Sequence, residues 1–180
     1  MHLFGNTSRS VLGMIVLAAS TGCLADFAQR PQATQEPIFD PMLFFLGRTY
    51  GEGTLAARFS STRTLQVEGM GRSEADGSFR LDQTITYSDS TVESRVWHLR
   101  RVDARHYAAT LSDAKGDATA ESAGNLFHVR YLLRQPAVYV EQWLYLQPDG
   151  RSVTNQTQVT VLGVPWARLS EKITREGPGR

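Results

Sequence analysis

The chain is poor in several things, and each shortage excludes something. Cys23 is its only cysteine, so no intramolecular disulfide can form in any redox compartment. It carries 19 basic and 18 acidic residues, and Arg9 lies in a segment that export would remove. A charge balance near zero argues against nucleic acid as a partner and against a polybasic membrane patch. Lysine occurs only as Lys115 and Lys172, so arginine carries nearly all the positive charge. No apolar run is long enough for a transmembrane helix, and almost no segment repeats at the helical period.

What the chain does have begins at its N-terminus. His2 and Arg9 give a weakly positive start, and Val11 to Ala19 form a short apolar core. Ser20-Thr21-Gly22-Cys23 follows at once. This is the layout of a secretory signal peptide over residues 1–22. A small residue directly before a lone cysteine suits lipoprotein processing, in which Cys23 takes a diacylglycerol and becomes the first mature residue. Ser20 stands where such signals usually carry Leu, so a plain cut after Ala18-Ala19-Ser20 is the alternative, with a soluble periplasmic product. Leu24 in place of an aspartate after the cysteine directs a lipoprotein to the outer membrane, its domain facing the periplasm. Residues 23–37 are small, polar and Pro-punctuated and read as a flexible tether. Residues 38–178 then form a single domain.

The domain opens on a dense apolar cluster, Phe39 to Leu46, read as one helical turn that plugs or lids the fold. Beyond it the pattern is strand, turn, strand. Phe79, Leu81, Gln83, Ile85 and Tyr87 alternate with Arg80, Asp82, Thr84, Thr86 and Ser88, the period of a half-buried strand. Ser88-Asp89-Ser90 and Gln147-Pro148-Asp149-Gly150-Arg151 carry turn chemistry. Ten runs of this kind are predicted: 51–60, 62–69, 79–87, 91–102, 105–112, 116–121, 125–134, 137–146, 152–162 and 166–175. Sequential hairpins without long crossovers read as an all-β antiparallel up-and-down meander. A sheet this long closes into a β-barrel or folds into a β-sandwich. A transmembrane barrel is not expected, because Glu93, Arg95, Arg130 and Glu141 interrupt any lipid-facing band.

The glycine and aromatic spacing resembles DUF3833, a family of uncharacterised bacterial exported lipoproteins. The residues that carry the likeness are Phe44-Phe45-x-Gly47, Gly51-x-Gly53, Tyr87, Arg95-Val96-Trp97 and Tyr107. Asp113, Gly116, Gly124-Asn125, Trp143-Leu144-Tyr145-Leu146, Asn155 and Gly163 continue it, over roughly residues 42–175. The chain departs at Glu141-Gln142, where the family tends to show an acidic pair, and at Asp89-Ser90-Thr91, where it tends to show an Asp-Gly turn. The resemblance implies a lipocalin-like barrel in the cell envelope and no established activity.

No catalytic constellation is readable. His98, His106 and His128 show no i,i+2 or i,i+4 pairing and have no cysteine to help, so no metal site is expected. There is no Gly-x-Ser-x-Gly elbow. Gly51-x-Gly53 and Gly69-x-Gly71 lie in strand or turn context and read as bulges or tight corners rather than as a phosphate cradle, and Gly124-Asn125 reads as a turn or bulge with positive φ rather than a contact. No cofactor is expected. Arg95 with Trp97, and Glu141 with Trp143, share strand faces. If those faces point inward, the interior has apolar walls with sparse polar anchors, as a ligand pocket does. The candidate lining is Gln83, Tyr87, Arg95, Trp97, Tyr131, Glu141, Trp143 and Asn155. The alternative is a packed interior in which Arg95 and Glu141 pair. The leading expectation is an envelope lipoprotein whose barrel binds a small apolar or amphipathic ligand such as a lipid or fatty acid. A structural or assembly factor that meets another envelope protein comes second. A lipid-acting enzyme comes last, because no nucleophile and base can be named.

Overall fold

The computed structural model describes residues 30–135 and 137–175. The period-two runs become ten antiparallel strands: β1 (Gly47–Ala57), β2 (Arg63–Ser73), β3 (Phe79–Tyr87), β4 (Val92–Arg101), β5 (His106–Leu111), β6 (Ala118–Ala123), β7 (Leu126–Arg134), β8 (Val138–Leu146), β9 (Ser152–Val161) and β10 (Val164–Arg175). Each strand pairs with its sequence neighbours, and β1 closes on β10 to complete a barrel. The closing register runs from Thr49 opposite Arg175 to Ala57 opposite Ala167. Closure leaves no unpaired strand edge, which is the physical reason a meander of this length does not stop as an open sheet. The barrel, and not the sandwich, is the arrangement observed.

One end of the barrel is filled. Phe79, Leu99, Phe127, Val129, Leu144, Leu146 and Val153 point inward there and pack as one cluster. A one-turn helix, α1 (Pro41–Phe44), closes that end. Proline at its first position has the helical φ built in, and Asp40 caps it by accepting from the Met42 and Leu43 amides at 3.0 and 3.4 Å. The turn delivers Phe39, Phe44 and Phe45 into the barrel, each at most 7% exposed. The Phe39 ring meets Phe44 and Phe127 edge-on at 5.5 and 5.9 Å. Each such side chain contributes about 1.5–3 kcal/mol by burial, so the plug is a substantial part of the core. Phe39–Leu46 therefore plugs the domain as expected.

The chain before the plug is tied to the β6–β7 hairpin. The Thr34 amide donates to Asn125 Oδ1 at 2.8 Å, and the Asn125 amide donates back to the Thr34 carbonyl at 2.9 Å. Asn125 Nδ2 donates to the Leu146 carbonyl at 3.1 Å, and the Phe39 amide donates to the Gly124 carbonyl at 2.7 Å. Gly124 has φ +56, and a Cβ there would collide with the Thr34 carbonyl. Gly124-Asn125 is thus the expected turn and an anchor as well. The signal segment, Cys23 and the first part of the expected tether lie outside the described residues. Arg30 lies against the barrel wall, its guanidinium 3.6 Å from the centre of the Trp143 ring.

Candidate functional site

Between the filled end and a smaller apolar cluster of Leu65, Val67 and Ile85 the barrel holds a cavity of about 310 Å³. Small-molecule pockets run from roughly 300 to 1,000 Å³, and this volume lies at the lower end of that range. Pro41 and Phe45 form its floor, and Tyr87 and Glu93 stand at the opposite, hairpin end. The Tyr87 hydroxyl donates to Glu93 there at 3.2 Å.

The apolar walls are interrupted by a polar belt. Cross-strand register sets it: Gln83 lies opposite Arg95, Gln142 opposite Thr157, and Asn155 opposite Glu171. The indole of Trp97 donates to Gln83 at 2.9 Å, and the Tyr131 ring meets Trp97 edge-on at 5.8 Å. Burial pushes the Tyr131 hydroxyl up to about 12, against the pull of Arg95. Arg95 is ion-paired with Asp113 on the β5–β6 turn, Nη2 to Oδ2 2.8 Å and Nε to Oδ2 2.9 Å.

Glu171 is the belt's acid. Asn155 Nδ2 donates to its carboxylate at 2.9 Å, and the Thr157 hydroxyl donates to Asn155 Oδ1 at 3.2 Å. Burial raises its pKa above the ordinary carboxyl value, although Asn155 and the Arg95 charge pull the other way. Its carboxyl sits in a notch made by two glycines of β1. Gly53 lies opposite Glu171, and a Cβ on Gly51 would collide with the carboxyl oxygen. The β1 and β2 pairings run without a register shift, so of the two expected readings, bulge or tight corner, the bulge does not form, and Gly51-x-Gly53 makes a notch. Gly69-x-Gly71 is not a bulge either: a Cβ on Gly71 would strike the Phe45 carbonyl and the Phe79 ring.

Of the residues singled out in the sequence, Gln83, Tyr87, Arg95, Trp97, Tyr131 and Asn155 line the cavity together. Glu141 and Trp143 do not, and their expected inward facing is corrected. Val140, Gln142 and Leu144 point in, and alternation sends their neighbours out. Glu141 Oε1 lies 2.8 Å from His128 Nε2, and Trp143 stacks on the His128 ring at 5.5 Å. Trp143 is still only 8% exposed, because Arg30 covers it from outside. The Arg95–Glu141 pair does not form; Asp113 takes Glu141's place. Sequence reasoning missed Glu171, Gln142, Thr157 and Glu93. The signal for Glu171 was present, since it alternates with Leu169 and Ile173 and is an acid on an apolar face. Among the described residues, no group of three or more His, Cys, Asp or Glu side chains is placed to hold a metal ion.

A family model described as "Protein of unknown function (DUF3833)" matches residues 17–175. No curated protein matches the chain. Among solved structures, the S-type phycobiliprotein lyase CPES from Guillardia theta is similar, with a TM-score of 0.61 at 9% identity over 77% of this chain and 92% of that one. At that identity the likeness is one of fold.

Proposed function

The chain belongs to the DUF3833 family of proteins of unknown function, and from that premise we propose that its barrel holds one small amphipathic molecule with an acidic head, such as a fatty acid. The observation that carries this reading is a single cavity that combines an arginine near its mouth with an apolar chamber beneath. A tail laid against Leu81, Trp97, Leu99, Val129 and Leu144 is stabilised by about 0.8 kcal/mol per methylene buried. The head meets Arg95, where a charged hydrogen bond adds roughly 1.5–3 kcal/mol. An ionised Glu171 would repel an anionic head. Burial raises its pKa above the ordinary carboxyl value, which lessens that repulsion.

Export, acylation at Cys23 and an outer-membrane destination complete the proposal and rest on the reading of residues 1–24. The competing role as a structural or assembly factor for an envelope protein requires no cavity, and the cavity favours binding. The fold also serves a phycobiliprotein lyase, so a barrel of this type is compatible with an enzyme. No nucleophile and base are named in this chain.

The test is mass spectrometry of lipids carried through purification, together with melting curves in the presence of a fatty acid. A bound acid at about one per chain is expected. At a hundredfold excess over Kd the native state gains about 2.7 kcal/mol, a rise of roughly 5–10 °C in Tm. A chain that carries no lipid and melts at the same temperature with and without fatty acid would overturn the reading.

A further inference from the structure

Five hairpins ring the mouth of the cavity, and they form two unlike arcs. Those joining β1 to β2, β9 to β10 and β7 to β8 stand side by side, because β1 pairs with β10 and β8 with β9. Residues 55–63, 133–138 and 160–168, which make this arc, contain the arginines 58, 63, 134 and 168 and no acidic residue. The facing arc, residues 87–93 and 112–117, carries four acids and one lysine.

The basic arc also exposes large apolar groups at its tips. Phe59 is 93% exposed at φ +58, and Leu162 is 69% exposed at φ +49. Leu162 and Gly163 are the central pair of a tight hairpin turn whose first position ordinarily takes Asn, Asp or Gly. A leucine there carries a conformational cost and exposes apolar surface as well. Phe59 and Leu162 thus set exposed apolar surface on neighbouring hairpins of one rim. Between Pro165 and Ala167 the ladder slips by one residue, which turns Trp166 outward against Phe59, their rings 6.0 Å apart.

We propose that this arc docks the barrel mouth on an anionic lipid bilayer. Phe59, Leu162 and Trp166 enter the boundary between headgroups and acyl chains, and Arg58 and Arg134 meet lipid phosphates, while Arg63 stays paired with Asp89 across the rim at 2.9 Å. Charge favours this occupant over a second copy set arc against arc, which would oppose arginines to arginines; a copy that set its acidic arc here would appear as the dimer tested below. Chain length agrees. Arg30 is held at Trp143, five residues along β8 from Val138 at the mouth, or about 17 Å of strand. The seven residues back to Cys23 span up to about 24 Å, so an anchor at Cys23 reaches the plane of the rim. The inference goes beyond the proposed ligand, and only this reach depends on the lipid anchor.

The experiment uses the full chain with Cys23→Ser, so that no acyl anchor contributes, and with Trp97→Phe and Trp143→Phe, so that only Trp166 emits. Vesicles of phosphatidylethanolamine and phosphatidylglycerol with brominated acyl chains should quench Trp166. Phosphatidylcholine vesicles should bind less. Phe59→Ser with Leu162→Asn should weaken association on the order of a hundredfold. Leu162→Asn alone restores ordinary turn chemistry, so it folds at least as well as the parent and keeps the test valid. Vesicle binding that leaves Trp166 unquenched and ignores the rim substitutions belongs to the signal segment and overturns the proposal. So does a dimer that needs Phe59 and forms without vesicles. If the cavity reading holds, Phe59→Ser with Leu162→Asn in a chain that keeps Trp97 and Trp143 retains the Tm response to fatty acid, so the two readings fail separately.

Discussion

Replacing Arg95 with methionine keeps a long flexible stem in the cavity and removes the guanidinium. The cost to the fold is set by the Arg95–Asp113 pair, whose side chains are 19% and 35% exposed. Arg95 is mostly covered, but Asp113 is exposed on its turn and hydrates once released, so losing the pair costs about 1 kcal/mol. Out of a typical 5–15 kcal/mol for a domain, Arg95→Met should therefore lose no more than about 1 kcal/mol. The cost to binding is larger. A fatty acid loses a charged hydrogen bond of about 1.5–3 kcal/mol, roughly a 10- to 150-fold rise in Kd, whereas the alcohol of equal chain length loses little. Trp97 lies two residues along the same strand and lines the same cavity, so its fluorescence reports both titrations. Urea melts report the stability. Equal weakening of acid and alcohol would refute a head-group role for Arg95. A stability loss above about 3 kcal/mol would show that it holds the barrel together.

Two further outcomes are expected. The Glu171 carboxyl has a folded pKa raised by burial, so its contribution to stability is complete below the unfolded value and is lost as pH rises through the folded one. Glu171→Gln removes that loss, and denaturant melts from acid to neutral pH should show a flatter profile than the parent chain, with the variant gaining as pH rises. Asn125→Ala deletes the side-chain bonds to the Thr34 amide and the Leu146 carbonyl, at roughly 1–3 kcal/mol for the buried Leu146 carbonyl and less for the amide of exposed Thr34. Amide exchange at residues 34–39 should quicken in step with the loss, and unchanged exchange would show that the plug holds without this anchor.

The sequence by itself determined the strands. Their period-two alternation and the turn residues between them are local properties, and they placed ten runs close to their observed bounds, with the apolar plug ahead of them. Alternation also says which residues share a face, and it set Arg95 with Trp97 and Glu141 with Trp143 without ambiguity. It cannot say which face is inside when both are apolar. On β8 the sets Val140, Leu144, Leu146 and Trp143, Tyr145 are equally greasy, and only closure of the barrel chose between them. Trp143 looked like lining because it shares a strand face with Glu141; it is buried, yet from outside the barrel, by His128 and by Arg30, more than a hundred residues away in the chain. The notch for Glu171 was hidden for the same reason. Gly51 and Gly53 lie at the start of the domain and Glu171 at its end, and only the pairing of β1 with β10 brings them together. Short-range patterning decides strand, turn and face. Inside, outside and which polar groups meet are decided by contacts distant in sequence, and those exist only once the ring has closed.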